Sequence, residues 1–328
     1  MTFSRKSFLK HTAAASIAYA APLTLFPFAL DKSNKSRIPK TRRFSMSLNP
    51  YMIGVQPGIT QQALNTIAVK YEFESVAVMA QDLARYSDEE LIRLTEDMKE
   101  KNIVWGMCSL PVEYRKDAAT YKKGLSQLPA LAKMLQKSGA IRMMTWIMSN
   151  HEELNYLQNF RQTAIRLREV AGILNQYSIR LGLEYVGPKS IWGANKFPFI
   201  HTMAETKEMI AAIGQPNTGI HLDTAHWFTA GETISDLLTL TNKEVVGCHL
   251  DDAVKGIGWQ DQPGYQRELP AATGVIDTKG FLNALVAIGY DGPVEAEPFN
   301  EVLNDMDDEL AIKTTADSMK KAFALIDL

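Results

Sequence analysis

Four apolar, strand-like runs in the second half of the chain end in side chains that suit acid–base or metal chemistry. These runs cover 179–186, 217–223, 244–252 and 292–299, and they carry at their ends Glu184, Asp223, His249 and Glu297. Three clustered carboxylates repel one another, and burying them without compensation is costly. A divalent cation removes that cost, and three oxygen ligands with one imidazole suit Mn²⁺, Mg²⁺, Co²⁺ or Zn²⁺. The alternative is that each acid caps a helix or pairs with a nearby Lys or Arg. Potential ligands at the ends of four consecutive strands favour a metal site.

The rest of the chain alternates apolar runs with amphipathic segments. Four earlier runs precede those above, at 51–57, 75–80, 103–110 and 141–149, and the clearest helical segments cover 87–100, 117–138, 152–175, 277–289 and about 308–326. The runs are continuous, which is typical of strands covered on both faces. Eight strands alternating with eight helical segments predict an α/β fold of the (β/α)₈ TIM-barrel type. A doubly wound open sheet is the alternative, but no G-x-G-x-x-G motif opens the first crossover.

In such a barrel the chemistry lies at the C-terminal ends of the strands, so the four side chains should meet at one rim. His226 follows Asp223 by three residues and should lie beside them. Glu295 precedes Glu297 by two and points the same way, one layer deeper. The pattern leaves open whether Glu295 supports the site or is an inner-layer charge. His221 is interpreted as a core histidine.

Composition excludes several classes of protein. The 328 residues are 46% hydrophobic with a formal net charge of −2, which argues against a nucleic-acid-binding surface. Cys108 and Cys248 each lie inside an apolar run, which indicates buried thiols and no disulfide framework.

The N-terminus has the plan of an export signal. Basic residues at 5, 6 and 10 precede an apolar stretch, and AYA at 18–20 provides a cleavage site. The segment SRKSFLK resembles the twin-arginine motif with Lys6 in place of the second arginine. We therefore predict a signal peptide or membrane anchor over 1–30, a linker over 31–47 and a single barrel domain over 48–328. The catalytic part is expected to be exported, either periplasmic or membrane-anchored facing the periplasm, with membrane contact only through this segment.

Several segments resemble the xylose-isomerase-like barrel family, which holds sugar (phosphate) isomerases and epimerases, tagatose-epimerase-like enzymes and inosose dehydratase. The segments are LEYVGPKS (183–190), FPFIHT (197–202), HLDTAHWFTAGET (221–233), HLDDA (249–253), RELPAATGVID (267–277) and GYDGPVEAEPFN (289–300). The resemblance is dense over about 180–300 and weaker before it. It implies metal ligation by the four residues named above, a position beside the metal for His226, and a grip on substrate oxygens for Arg267.

One departure from that family concerns the loop after Arg267. The family's loop usually begins Leu-Pro-Gly, whereas this chain has Leu269-Pro270-Ala271. Alanine does not take positive φ cheaply, so a different conformation is expected for this loop, on which the placement of Arg267 depends.

The resemblance implies a divalent-metal-dependent sugar isomerase or epimerase acting on a free sugar or keto-sugar. Glu184 and Glu297 would exchange a proton next to a carbonyl through a metal-bound enediolate, with His226 as the third catalytic residue. The closest alternative is an exported 3-keto-glycoside lyase or hydratase on the same metal site. Trp227, Lys189 and His201 are further substrate-binding candidates, for which core packing, a solvated lysine and a structural histidine are the alternatives.

Two other classes of function share this fold or chemistry. An AP-endonuclease-like DNA-repair barrel would need a basic groove and additional histidine ligands, which the net charge disfavours. A non-catalytic metal-dependent sugar-binding protein would hold metal and sugar without exchanging solvent deuterium into the sugar. The expected partner is therefore a small carbohydrate and no nucleic acid, and the oligomeric state stays open, a homo-oligomer included.

Overall fold

The centre of the molecule is a parallel β-sheet of nine strands, seen in a computed structural model that describes residues 41–55 and 58–327. Its strands are β1 (Ser45–Leu48), β2 (Ser75–Val76), β3 (Val104–Trp105), β4 (Cys108–Ser109), β5 (Arg142–Trp146), β7 (Arg180–Glu184), β9 (Thr218–Asp223), β10 (Val245–Leu250) and β11 (Pro293–Ala296). They run in the order β3-β2-β1-β11-β10-β9-β7-β5-β4. Because β3 and β4 are two pieces of the stretch 104–109, the sheet curls until its two ends meet. With β3 and β4 counted as one strand, the barrel has eight strands, which confirms the predicted (β/α)₈ class.

A short antiparallel pair lies outside the barrel sheet. It joins β6 (Asn150–His151), just after β5, to β8 (Phe197–Pro198), which follows β7. This pair connects the loops at the C-terminal ends of two neighbouring barrel strands.

Helices follow the strands along the chain. The described residues form α1 (Gln61–Lys70), α2 (Ala80–Leu83), α3 (Asp88–Glu100), α4 (Ala118–Ser138), α5 (Tyr156–Gln176), α6 (Lys189–Trp192), α7 (Met203–Ile213), α8 (Thr224–Thr229), α9 (Ile234–Leu237), α10 (Thr278–Ala287), α11 (Glu301–Asn304) and α12 (Asp308–Phe323), with 3₁₀ turns at Pro50–Ile53 and Trp259–Asp261. The five predicted helical segments are all present, because their caps are local: Ser87 and Glu90 form a capping box for α3, and Asp117 caps α4. None of the helices in the described part is long and apolar enough to span a bilayer.

The first barrel strand does not lie where the sequence predicted it. The prediction placed it at 51–57, but β1 is Ser45–Leu48, which pairs with β2 and β11, and Pro50–Ile53 is a 3₁₀ turn. Pro50 fixes its own φ and lacks a donor, and Gly54 ends the turn at φ 82°, so this run coils instead of extending. The barrel therefore begins inside the segment predicted as a linker. Residues 1–40, which include the predicted export signal, lie outside the described residues.

The two cysteines are free and buried in the barrel core. Burial raises the pKa of Cys108 to about 12 and holds the pKa of Cys248 well above its ordinary value. Both thiols therefore stay protonated at neutral pH, as expected of structural cysteines.

Candidate active site

Adjacent barrel strands bring Glu184, Asp223, His249 and Glu297 to the same rim. His249 on β10 is in register with Asp223 at the end of β9, Glu184 ends β7, and Glu297 directly follows β11. All four are buried, and one ligand-type atom from each lies within 4.8 Å of the others. We call these four residues the quartet.

The imidazole of His249 lies among the three carboxylates. Its Nδ1 is 3.0 Å from Glu184 Oε1, 3.2 Å from Glu297 Oε2 and 3.9 Å from Asp223 Oδ2. Burial by itself would lower the pKa of His249, but Glu297 and Glu184 raise it well above its ordinary value. Burial and the neighbouring Glu297 raise the pKa of Glu184 to about 7. The three buried carboxylates thus strongly stabilise a positive charge at the centre of the quartet.

A divalent cation fits this donor set. Three carboxylate oxygens and an imidazole nitrogen are ligands for Mn²⁺, Co²⁺ or Zn²⁺, and Mg²⁺ accepts the oxygens. Metal–ligand bonds of about 2.1 Å hold ligand atoms no more than about 4.2 Å apart, close to the 4.8 Å limit observed across the quartet. Small side-chain movements would therefore bring the four groups onto one ion.

Arg267 supplies a second buried positive charge beside the quartet. Its Nη1 donates to Asp251 Oδ2 at 2.6 Å, to Asp223 Oδ2 at 2.8 Å and to Glu297 Oε2 at 3.1 Å. The guanidinium lies 4.8 Å from the ring centre of Phe299, whose φ of 41° is strained for a residue with a side chain. Strain at a residue that contacts a buried charge is typical of functional sites.

The two aspartates bound by Arg267 have pKa values shifted in opposite directions. Burial favours a higher pKa for Asp223, but Arg267 and His226 lower it well below its ordinary value, so this carboxylate stays ionised. Burial, followed by the charge of Asp223, raises the pKa of Asp251 to about 8, although Arg267 and a hydrogen bond from Thr224 oppose the shift. Asp251 is therefore mostly protonated at neutral pH, which limits the negative charge collected here.

The spacing of Asp223 and His226 follows from helix capping. Asp223 ends β9 and caps α8, and its Oδ1 accepts from the backbone N–H of His226 at 2.8 Å. His226 Nε2 lies 3.1 Å from Arg267 Nη2, which can only donate, so Nε2 accepts and Nδ1 carries the proton. Burial, ahead of all other causes, lowers the pKa of His226 to about 4, so the ring is neutral. Its Nδ1–H is buried and has no hydrogen-bond partner among the described residues.

The loop after Arg267 accommodates alanine where the family has glycine. Ala271 has φ 55°, the left-handed conformation that glycine would adopt. Side chains of α12 hold the loop in place, since Ser318 Oγ donates to the Pro270 carbonyl and Lys321 Nζ to the Ala271 carbonyl, each at 2.5 Å. With alanine in this loop, Arg267 reaches Asp223 and Glu297 of the quartet.

Two further buried groups lie one layer below the quartet. Glu295 accepts from Ser47 Oγ at 3.1 Å, Asn49 Nδ2 at 3.0 Å and the Met107 N–H at 3.2 Å. It is an inner-layer acid, and its Oε2 lies 3.9 Å from His249 Nε2. His221 packs edge-on against His249, and burial holds its pKa well below the ordinary value, as for a core histidine.

A cavity of about 370 Å³ opens above the quartet. Glu184, His226, Arg267 and Glu297 are among its polar lining residues, with Ser109, Arg115, Thr145 and Tyr265. Its walls are mainly apolar and include Met52, Leu110, Met144, Trp146, Met148, Val186, Ile191 and Phe299. Trp146 and Arg115 also line this cavity, and the sequence did not predict either of them. Trp146 lies in an apolar strand run and Arg115 in a loop, and neither position has a sequence pattern that indicates a place at the rim.

Three sequence-predicted substrate contacts are not brought to this cavity. Trp227 is 4% exposed, packs against Phe281 of α10 and donates to the Thr233 carbonyl. Successive helical residues point about 100° apart, so Trp227 faces α10 when His226 faces the site. His201 stacks on Trp192 with ring centres 4.8 Å apart, and Lys189 is an exposed residue at the start of α6.

Comparison with known proteins finds relatives of this fold. Residues 66–322 match the family described as xylose isomerase-like TIM barrel. Inosose isomerase from Halalkalibacterium halodurans is 24% identical over 209 residues, which cover 62% of this chain and 69% of that protein. A xylose isomerase domain protein from Alicyclobacillus acidocaldarius is 27% identical with a TM-score of 0.74, over 86% of this chain and 99% of the other. The IolI protein with a bound zinc atom is 17% identical with a TM-score of 0.69, over 86% and 98%.

Proposed function

This chain belongs to the xylose isomerase-like TIM barrel family, and on that premise we propose that it is a divalent-metal-dependent sugar isomerase or epimerase acting on a keto-sugar. The observation that carries the proposal is the convergence of the quartet beneath an open cavity. Similarity to inosose isomerase supports the same reaction class, because that protein is named as an isomerase. The zinc atom in the IolI structure supports a divalent metal.

The cation, when bound, supplies a Lewis acid that acidifies the C–H next to a carbonyl and stabilises charge that develops on the substrate oxygens. Glu184 and Glu297 supply the base and the acid. Each faces His249 through one oxygen, Glu184 Oε1 and Glu297 Oε2, and its second oxygen is left to take or return a proton. Return of the proton to the opposite face of the same carbon gives an epimer, and return to the neighbouring carbon gives an isomer.

Arg267 holds the substrate oxygens, and His226 keeps Arg267 in place. The Arg267 guanidinium is fixed by its carboxylate partners and by His226 Nε2, which accepts from Nη2 at 3.1 Å. Fixed donors stabilise a developing negative charge without reorganising during the reaction. The walls of the cavity are mainly apolar, and a low-polarity surrounding strengthens these interactions.

Solvent-deuterium exchange tests the proposal. The purified protein is incubated in D₂O with Mn²⁺ and a panel of ketoses, glycosylated ketoses, inososes and 3-keto-glycosides, and NMR follows deuterium entering the carbon next to the carbonyl. We expect metal-dependent exchange that Glu297→Gln abolishes, whereas Glu232→Gln, a control at a part-buried acid hydrogen-bonded to Tyr185, retains it. Tight metal binding without exchange of any sugar would refute the enzyme in favour of a binding protein, and loss of a β-substituent would indicate a lyase.

A further inference from the structure

A second cavity adjoins the catalytic one. It has a volume of about 410 Å³ and lies over the loops that follow β4 and β5, against the first turns of α5. We call it the side cavity. Arg115, Trp146 and Met148 line both cavities, so the two spaces meet along one shared edge.

Trp146 and Arg115 build that edge. Trp146 is in register with Glu184 on the neighbouring strand and is 36% exposed. The Arg115 guanidinium lies 4.2 Å from the centre of the Trp146 ring, and it is held there by Glu113 at 2.8 Å and by the Trp146 carbonyl at 2.8 Å. The edge is thus a preformed aromatic surface beside one of the quartet carboxylates.

The chemistry of the side cavity matches a sugar ring. Its lining combines aromatic rings with uncharged amides and hydroxyls: Tyr114, Trp146, Phe199, Asn150, Asn159, Gln162, Thr163 and Asn195. Aromatic faces pack on sugar C–H surfaces, while amides donate to and accept from hydroxyl groups. The basic and acidic side chains in the lining are balanced, Arg115 and Lys116 against Glu113 and Glu152, which disfavours a phosphate or another strongly charged ligand.

Gln162 points to a ligand most directly. It lies in α5, is half-buried, and its side chain makes no hydrogen bond within the described part of the chain. Because Gln162 lines the cavity and is only partly buried, its amide is free to exchange water for a hydroxyl group of a ligand. The neighbouring Asn150 is already engaged at both ends of its amide, since its Oδ1 accepts from Asn195 Nδ2 at 2.7 Å and its Nδ2 donates to the Ile191 carbonyl at 2.6 Å.

We propose that the substrate is a ketose carrying a second sugar unit, with the reacting ring in the catalytic cavity and the second ring in the side cavity across Trp146. This inference rests on the proposed function, and it assigns to Trp146 and Gln162 the recognition of the second ring. The chemical class is a glycosylated ketose, not a free monosaccharide.

The test compares the binding of fructose with that of its glucosides turanose, maltulose and isomaltulose, which carry the second ring at different positions. Binding to the Mn²⁺-loaded protein is measured by calorimetry, and deuterium exchange is followed in the same samples. We expect at least one glucoside to bind about tenfold or more tightly than fructose. Gln162→Ala should reduce that preference about three- to tenfold, the usual effect of losing one neutral hydrogen bond, and Trp146→Ala should abolish it.

Arg161→Ala is the matched control, because Arg161 is the exposed neighbour of Gln162 on α5 and lines neither cavity. It should leave the preference for the glucoside intact. Equal binding of fructose and every glucoside would overturn the proposal, as would a preference that survives both Gln162→Ala and Trp146→Ala. Since these outcomes concern binding, they are separate from an absence of deuterium exchange, which would count against the proposed reaction.

Discussion

Arg267→Met is expected to destabilise the metal-free protein strongly and to make its stability depend on metal. Arg267 is 3% exposed, and its Nη1 contacts Asp223 and Glu297 at 2.8 and 3.1 Å. Asp251, also in contact, has a pKa of about 8 and adds little negative charge at neutral pH. Two full ion pairs at about 4 Å between charge centres are worth about 8 kcal/mol before desolvation, at an effective dielectric constant of about 20.

Desolvation of the ions offsets part of that gain, and removing one partner of a buried pair costs about 3–5 kcal/mol. For a domain of this size such a loss lowers the melting temperature by about 6–10 °C. Mn²⁺ should recover a large part of it, because the uncompensated carboxylates then bind the cation more tightly. Metal at 100 times its dissociation constant adds about 2.7 kcal/mol.

The assay is urea unfolding followed by circular dichroism, in EDTA and in saturating Mn²⁺. Arg142→Met provides the control, since Arg142 pairs with Asp291 at 2.7 Å and donates to the Val246 carbonyl, outside the candidate active site. Mn²⁺ should stabilise Arg142→Met by the wild-type increment and Arg267→Met by more. Equal increments in both variants, or an Arg267→Met protein as stable as wild type in EDTA, would refute the electrostatic reasoning.

Three smaller perturbations test local features. Ala271→Gly should stabilise the fold by about 0.5–1 kcal/mol, measured by urea unfolding, because glycine adopts the observed φ of 55° without strain. Gly187→Ala should cost about 1–3 kcal/mol and reduce deuterium exchange, because the new Cβ would lie 2.4 Å from the His226 carbonyl oxygen. Burial favours a higher pKa for Glu74, but hydrogen bonds from Arg42 outweigh it and lower that pKa below 4.5, so its stabilising effect is present above about pH 4.5 and is lost as pH falls through the folded pKa. Urea midpoints of wild type and Glu74→Gln should therefore differ at neutral pH and converge in acid.

Each of these has an opposite outcome that would count against it. A less stable Ala271→Gly protein would show that the loop gains more from alanine than it loses in strain. Wild-type stability and wild-type deuterium exchange in Gly187→Ala would mean that the backbone near α8 moves to accommodate the new Cβ at little cost. If the urea midpoints of wild type and Glu74→Gln still differ in acid, the charge of Glu74 is not the cause of the difference.

The sequence by itself determined the barrel and the composition of the quartet. Both depend on local patterns: continuous apolar runs predict covered strands, and side chains at the ends of consecutive parallel strands necessarily meet at one rim. The helix starts predicted at 87 and 117 agree with the structure for the same reason, since Ser87 and Asp117 cap their helices through backbone groups two or three residues away. The relation between Asp223 and His226 is local in the same way, because Asp223 is the N-cap of α8 and His226 is the third residue of that helix.

Tertiary structure decided whatever depends on partners distant in the sequence. β1 is a four-residue strand whose identity comes from pairing with β2 and β11, so no local pattern separated it from the apolar run at 51–57. Trp227 and His226 are adjacent in sequence, yet only the packing of α8 against α10 determined which side chain faces the cavity. The contacts of Arg267 and the edge formed by Trp146 arise where separate loops meet over the barrel, and such long-range contacts leave no periodicity in the sequence to read.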